Sequence, residues 1–161
     1  MSRPRRLLVA IDAGLRTCGV AMFATGVLVA AFTADESVGR GPAVWRSMAL
    51  KVTSNITRLR YPWCEMPVDL VIEVMQEDSR SRGNVADILE VQGVAGAISS
   101  HYLWKTITGY TPRQWKGSVP KTVSHLRARR TMCVAERDVV EGLDHNGMDA
   151  VALGLFHLKR K

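Results

Sequence analysis

Two short runs leave this chain little choice of architecture. Leu7-Leu8-Val9-Ala10-Ile11 is apolar at every position, and Val68-Asp69-Leu70-Val71-Ile72 is apolar at all but one. A strand that is apolar on both faces has to be covered on both, which places it inside a sheet with helices packed above and below. Arg6 to Asp12 and Val68 to Met75 therefore read as central strands. Each carries an acid where packing alone would not put one. Asp12 opens Asp-Ala-Gly at the end of the first, and Glu73 follows Ile72 inside the second.

The remaining punctuation fills in the order. Residues 18–24 and 27–33 flank Thr25-Gly26 and read as two strands joined by a tight turn. Gly39-Arg40-Gly41-Pro42 opens a helix to about Arg60, with Val44, Met48, Val52 and Ile56 or Leu59 on one face, and Pro62 and Pro67 end it. The turn-prone stretch from Asp78 to Asn84 leads into a helix from about Val85 to Trp104. Gly93 and Gly96 lie in its interior, where glycine costs roughly 1 kcal/mol against alanine, a cost that close approach of another backbone would offset. A strand near Thr106 to Tyr110, a helix from Lys121 to about Arg130 and a last helix starting near Asn146 follow. Three strands followed by alternating helices and strands predict an α/β fold. The expected architecture is a mixed five-stranded sheet flanked by helices. Its 161 residues, 1–161, suit one domain.

Charge narrows the function. Lys plus Arg number 22 against 15 Asp plus Glu, a net charge of +7. The excess is clustered: between Glu90 and Glu136 there is no acid, while Lys105, Arg113, Lys116, Lys121, Arg127, Arg129 and Arg130 all fall there. A solvated surface usually mixes signs, so this block is expected to face a phosphate backbone. The uncharged stretch from Thr17 to Ala34 approaches the length of a membrane span, but Gly19 and Gly26 interrupt it and two short strands suit it better. The apolar run after Arg3, Arg5 and Arg6 stops at Asp12, too early for a signal-peptide core, and we expect a cytoplasmic protein with no membrane partner. Cys18, Cys64 and Cys133 match no metal-binding spacing, and we expect them reduced and buried.

The acids carry the chemistry. Asp12 could serve its turn, and Asp149 could be a first-turn acid favoured by the helix dipole. Glu73, deep in an apolar strand, must be paired or must bind a cation. Carboxylates brought together repel unless a hard cation neutralises them, and an all-oxygen set suits Mg²⁺, with Mn²⁺ as a substitute. In a basic protein that grips phosphates, this predicts phosphodiester hydrolysis. One metal would generate hydroxide for in-line attack and a second would stabilise the departing 3′ oxygen.

These residues resemble a known family. The run from Leu8 to Ala21 around Asp12-Ala-Gly-Leu-Arg16-Thr, then Val-Ile-Glu73, Gln92-Gly-Val-Ala-Gly-Ala, Lys121 opening a helix and Asp149-Ala-Val-Ala-Leu-Gly are similar to the RuvC-like Holliday junction resolvases of the RNase H-like superfamily. The similarity spans nearly the whole chain in the right order. It implies a homodimer that binds four-way DNA junctions and makes paired symmetric nicks with Mg²⁺, leaving 5′-phosphate and 3′-hydroxyl ends. It carries the metal-binding acids onto Asp12, Glu73 and Asp149, and the catalytic lysine onto Lys121, with Lys116 a second basic position. Gln76, Arg80, Arg82, Arg113, Lys116, Lys121, Arg127 and Arg129 are the expected DNA contacts.

Two positions depart from the family. Three residues before Asp149, where the family has a carboxylate, stands Asn146, with His145 beside it. On a helix these lie about 60° and about 40° from Asp149, so either could share its face. Spacing favours Asn146 as the fourth catalytic and metal-binding position, against the alternative that it only caps the helix. Three residues after Glu73, where some members have an aromatic side chain, stands Gln76. The rival readings are a broader nuclease of branched DNA, a catalytically weak junction-binding protein, and an actin-like ATPase, which would need two such domains.

Overall fold

The computed structural model describes residues 5–36, 39–75 and 84–160. The chain runs β1 (Leu7–Asp12), β2 (Thr17–Ala24), β3 (Val27–Asp35), α1 (Pro42–Leu59), β4 (Val68–Glu73), α2 (Val85–Ser100), β5 (Thr106–Tyr110), α3 (Pro112–Trp115), α4 (Lys121–Thr131), α5 (Val134–Val139) and α6 (His145–His157). The five strands form one sheet in the order β3-β2-β1-β4-β5. β1 is antiparallel to β2 and parallel to β4, and β4 is parallel to β5. The two apolar runs are therefore adjacent and central. The stretch from Thr17 to Ala34 lies in a hairpin, turning through Thr25 (φ 50°) and Gly26 (φ 88°). Among the described residues no helix is long and apolar enough to cross a membrane.

Alternation along β1 and β4 divides the core. Leu7, Val9, Ile11, Leu70 and Ile72 pack with Met48, Val52 and Ile56 of α1 and Val94 and Ile98 of α2. Leu8, Ala10 and Val71 pack on the other face, against Val151 and Leu155 of α6 and Ala128 of α4. Asp12 follows Ala10 by two residues and Glu73 follows Val71 by two, so both acids share the α4 and α6 face.

Several boundaries differ from the sequence reading. β4 ends at Glu73 rather than Met75, and α2 ends at Ser100 rather than Trp104. The Trp104 indole instead turns back and donates to the Ile98 carbonyl. α3 and α5, with four and six residues, are too short to show a period. Each is set by local capping: the Thr111 hydroxyl accepts from Gln114 N, and Glu136 accepts from Cys133 N. Gly93 does not meet another backbone, since a Cβ there would stand 2.4 Å from the Trp45 indole of α1, and Gly96 faces open space. Only Cys18 is buried; Cys64 and Cys133 are exposed.

Candidate active site

Parallel pairing puts the ends of β1 and β4 side by side. Ile11 is in register with Ile72, so Asp12 and Glu73 are the next residues on neighbouring strands, leaving by the same face. β5 adds the groups around Glu73. Tyr110 pairs with Glu73 at the end of β5, and the chain turns at once into α3. That turn brings the Trp115 indole N–H to Glu73 Oε2 at 2.6 Å and Lys116 Nζ to within 3.6 Å of the same oxygen, with the ammonium over the Trp115 ring.

α6 supplies the third acid. Asp144 caps the helix, accepting from Gly147 N at 2.9 Å and from the Thr33 hydroxyl at 2.6 Å. One turn on, Asp149 is fully buried. Lys121, the first residue of α4, places Nζ 2.8 Å from Asp149 Oδ2, and His125 places Nε2 2.7 Å from Oδ1. Lys121 and His125 are four residues apart and so share one face of α4.

The electrostatics follow from this crowding. Burial, and then the negative charges of Glu73 and Asp149, push the Asp12 carboxyl up to about 7 against the partial relief of Lys116 and Lys121. Burial also works to raise Asp149, but the Lys121 ammonium and the His125 hydrogen bond outweigh it and hold that carboxyl below its ordinary value. Lys121 is the converse: burial opposes its charge, and Asp149 reverses the balance and raises it.

The donor set fits a hard divalent cation. It is all oxygen, it repels itself, and positively charged lysines already lie on Glu73 and Asp149. Among the described residues no three acid, histidine or cysteine side chains form a metal-holding arrangement.

The chain superimposes on Thermus thermophilus RuvC in complex with a Holliday junction substrate with a TM-score of 0.62, at 16% identity, over 95% of this chain and 93% of that one. A second Thermus thermophilus RuvC structure gives 0.59 at 15% identity, over 94% and 93%. The fold is that of RuvC. No protein-family model and no curated sequence matches. The correspondence with RuvC is therefore one of backbone architecture along nearly the full length of both chains.

On this RuvC fold, Lys116 lies against Glu73 and Lys121 against Asp149, and both of those acids act on the charge of Asp12. Asn146 lies inside α6, not at its cap as the capping alternative had it, and donates its amide to the Thr17 hydroxyl at 2.8 Å. His145 is exposed. Arg113, Arg127 and Arg129 are exposed, and Arg127 joins Lys116 and Arg130 in a cleft of about 410 Å³ between α4 and α6. Gln76, Arg80 and Arg82 lie outside the described residues. Sequence reasoning missed His125 and Trp115. The signal for His125 was its spacing of four from Lys121; Trp115 showed only a position beside Lys116.

Proposed function

We propose that the protein is a metal-dependent endodeoxyribonuclease that resolves four-way DNA junctions by paired symmetric nicks. The observation that carries this reading is the convergence of Asp12, Glu73 and Asp149, with Lys116 and Lys121, at the end of the central parallel strands of a RuvC fold. The RuvC structure it resembles holds a Holliday junction substrate. When bound, Mg²⁺ or Mn²⁺ would supply a polarised water for attack and offset charge at the departing 3′ oxygen.

The chain's own residues supply the rest. Asp12, Glu73 and Asp149 would hold the cation, with Asn146, whose amide nitrogen is given to Thr17, as the fourth oxygen ligand. Trp115 fixes Glu73 Oε2, so that this carboxylate presents a defined orientation. Lys121, 54% exposed at its side chain, is free to reach from Asp149 toward solvent, where it would meet the scissile phosphate. Arg127 and Arg129 lie on the open part of the same helix, suited to the flanking backbone. Paired nicks require two sites, hence a homodimer. The exposed apolar side chains Val85 and Leu89 in the first turns of α2 are our proposed contact between protomers.

The deciding assay presents four-way, three-way, flap and linear duplex DNA with Mg²⁺ and with EDTA. Paired nicks confined to the four-way junction and dependent on the metal are expected. Equal cutting of flaps would favour the broader branched-DNA nuclease, binding without cutting would favour the junction-binding protein, and full cutting in EDTA would overturn the mechanism.

A further inference from the structure

We propose that His125 is a positioning residue for Asp149, fixing Oδ1 so that Oδ2 stays turned to the centre of the site. This rests on reading Asp149 as a ligand of a divalent cation. Asp149 is fully buried, and the described polar contacts of its carboxylate are with His125 at Oδ1 and Lys121 at Oδ2. Paired with an ammonium, it is ionised and can only accept, so His125 Nε2 carries the proton and donates.

The face of α4 shows that this contact is not incidental. Lys121, His125 and Ala128 fall on one stripe; Ala128 is buried in the core, and the His125 side chain is only 18% exposed. Nothing about packing requires an imidazole between a core alanine and a site lysine. On α6 itself, Asn146 gives its amide to Thr17, and His145 points into solvent. The orienting group for Asp149 thus comes from the neighbouring helix. Such outer partners commonly change metal affinity by about 10–100-fold when removed.

Binding of Mn²⁺ alone, followed by its electron paramagnetic resonance signal, tests the assignment without recourse to activity. The side-chain nitrogen of Gln can reach about where Nε2 lies, whereas that of Asn falls short. His125→Gln should therefore bind Mn²⁺ close to wild type, and His125→Ala and His125→Asn about tenfold or more weakly, all four proteins showing the same circular dichroism. Equal affinity in all four would overturn the proposal, as would Gln binding as poorly as Ala. So would nitrogen coupling to Mn²⁺ that His125→Ala abolishes, which would make His125 a ligand. Wild type that binds Mn²⁺ in an Asp149-dependent manner but nicks no branched DNA would refute the nuclease reading and leave His125 in place. No Mn²⁺ binding at all would refute both.

Discussion

A Cβ on Gly19 would stand 1.9 Å from the carbonyl oxygen of Asn146. Gly19 is the residue of β2 paired with Asp12, so the bare backbone there lets the first turn of α6 settle directly onto the strand beside the site. Because the obstacle is backbone, it cannot turn aside. Gly19→Ala should lower stability by about 2 kcal/mol or more and displace Asp149 from Asp12. Gly96 is the control. It sits in a helix facing open space, so Gly96→Ala should raise the stability of the protomer by about 0.5–1 kcal/mol. Thermal unfolding of both variants checks the contrast, and equal effects would contradict it.

The contrast shows what the sequence made legible. Asp12 and Glu73 are readable because each ends a run that is almost entirely apolar, and burial of an acid demands a reason. That reason also located the sheet's centre. Gly19 was not readable, since its partner lies over a hundred residues away and only the docking of α6 creates the crowding. Gly93 suggests a backbone contact from sequence, yet it accommodates the Trp45 ring; a glycine shows that something comes close, not what. Trp115 and His125 escaped for a similar reason. Each acts through a carboxylate on another element, and neither sits in a pattern that its own neighbours require.

Lys121 and the arginines of α4 should separate kinetically. Lys121 contacts Asp149 inside the site, whereas Arg127 and Arg129 lie in the open. Lys121→Ala is expected to reduce the nicking rate of bound junction about 100-fold or more with little change in affinity. Arg127→Ala and Arg129→Ala should weaken binding, reduce its salt dependence, and leave the rate at saturating enzyme nearly unchanged. Single-turnover cleavage and filter binding on the same junction measure the two quantities. Parallel losses in all three variants would make Lys121 an ordinary backbone contact.

The ion pair between Glu136 and Arg160 should govern acid stability. Glu136, almost fully buried, is paired with Arg160 and also accepts from Leu28 N at 2.8 Å. The Arg160 hydrogen bonds, with those from the backbone, hold its carboxyl at about 2, against burial that would raise it. Its contribution is therefore present above the ordinary value of 4.5 and lost as pH falls through about 2. Arg160→Ala leaves a buried charge unpaired and should destabilise by about 3–5 kcal/mol at neutral pH. Glu136→Gln should flatten the acid limb of the denaturation profile. An unchanged acid limb in that variant would rule out this pair as its cause.

The metal-free site should show the opposite pH dependence. Asp12 in the folded chain titrates at about 7 instead of 3.8, because burial, Glu73 and Asp149 all oppose its charge. Between those values the folded protein keeps a proton that the unfolded chain has released, so stability in EDTA should fall as pH rises from about 4 to about 7 and then level off. The full shift corresponds to at most about 4 kcal/mol. Asp12→Asn removes the titration while keeping the shape, and should flatten this slope and stabilise the metal-free protein at pH 8. The same substitution deletes a metal-binding charge, so cleavage should be lost while junction binding persists; Glu73→Gln and Asp149→Asn should also be inactive. Saturating Mg²⁺ supplies the missing countercharge and should remove the slope from wild type, with protons released as it binds near pH 6. Denaturation across pH 5 to 8, with EDTA and with Mg²⁺, measures each of these. Parallel profiles for wild type and Asp12→Asn in EDTA would show that the three carboxylates do not repel as their placement requires.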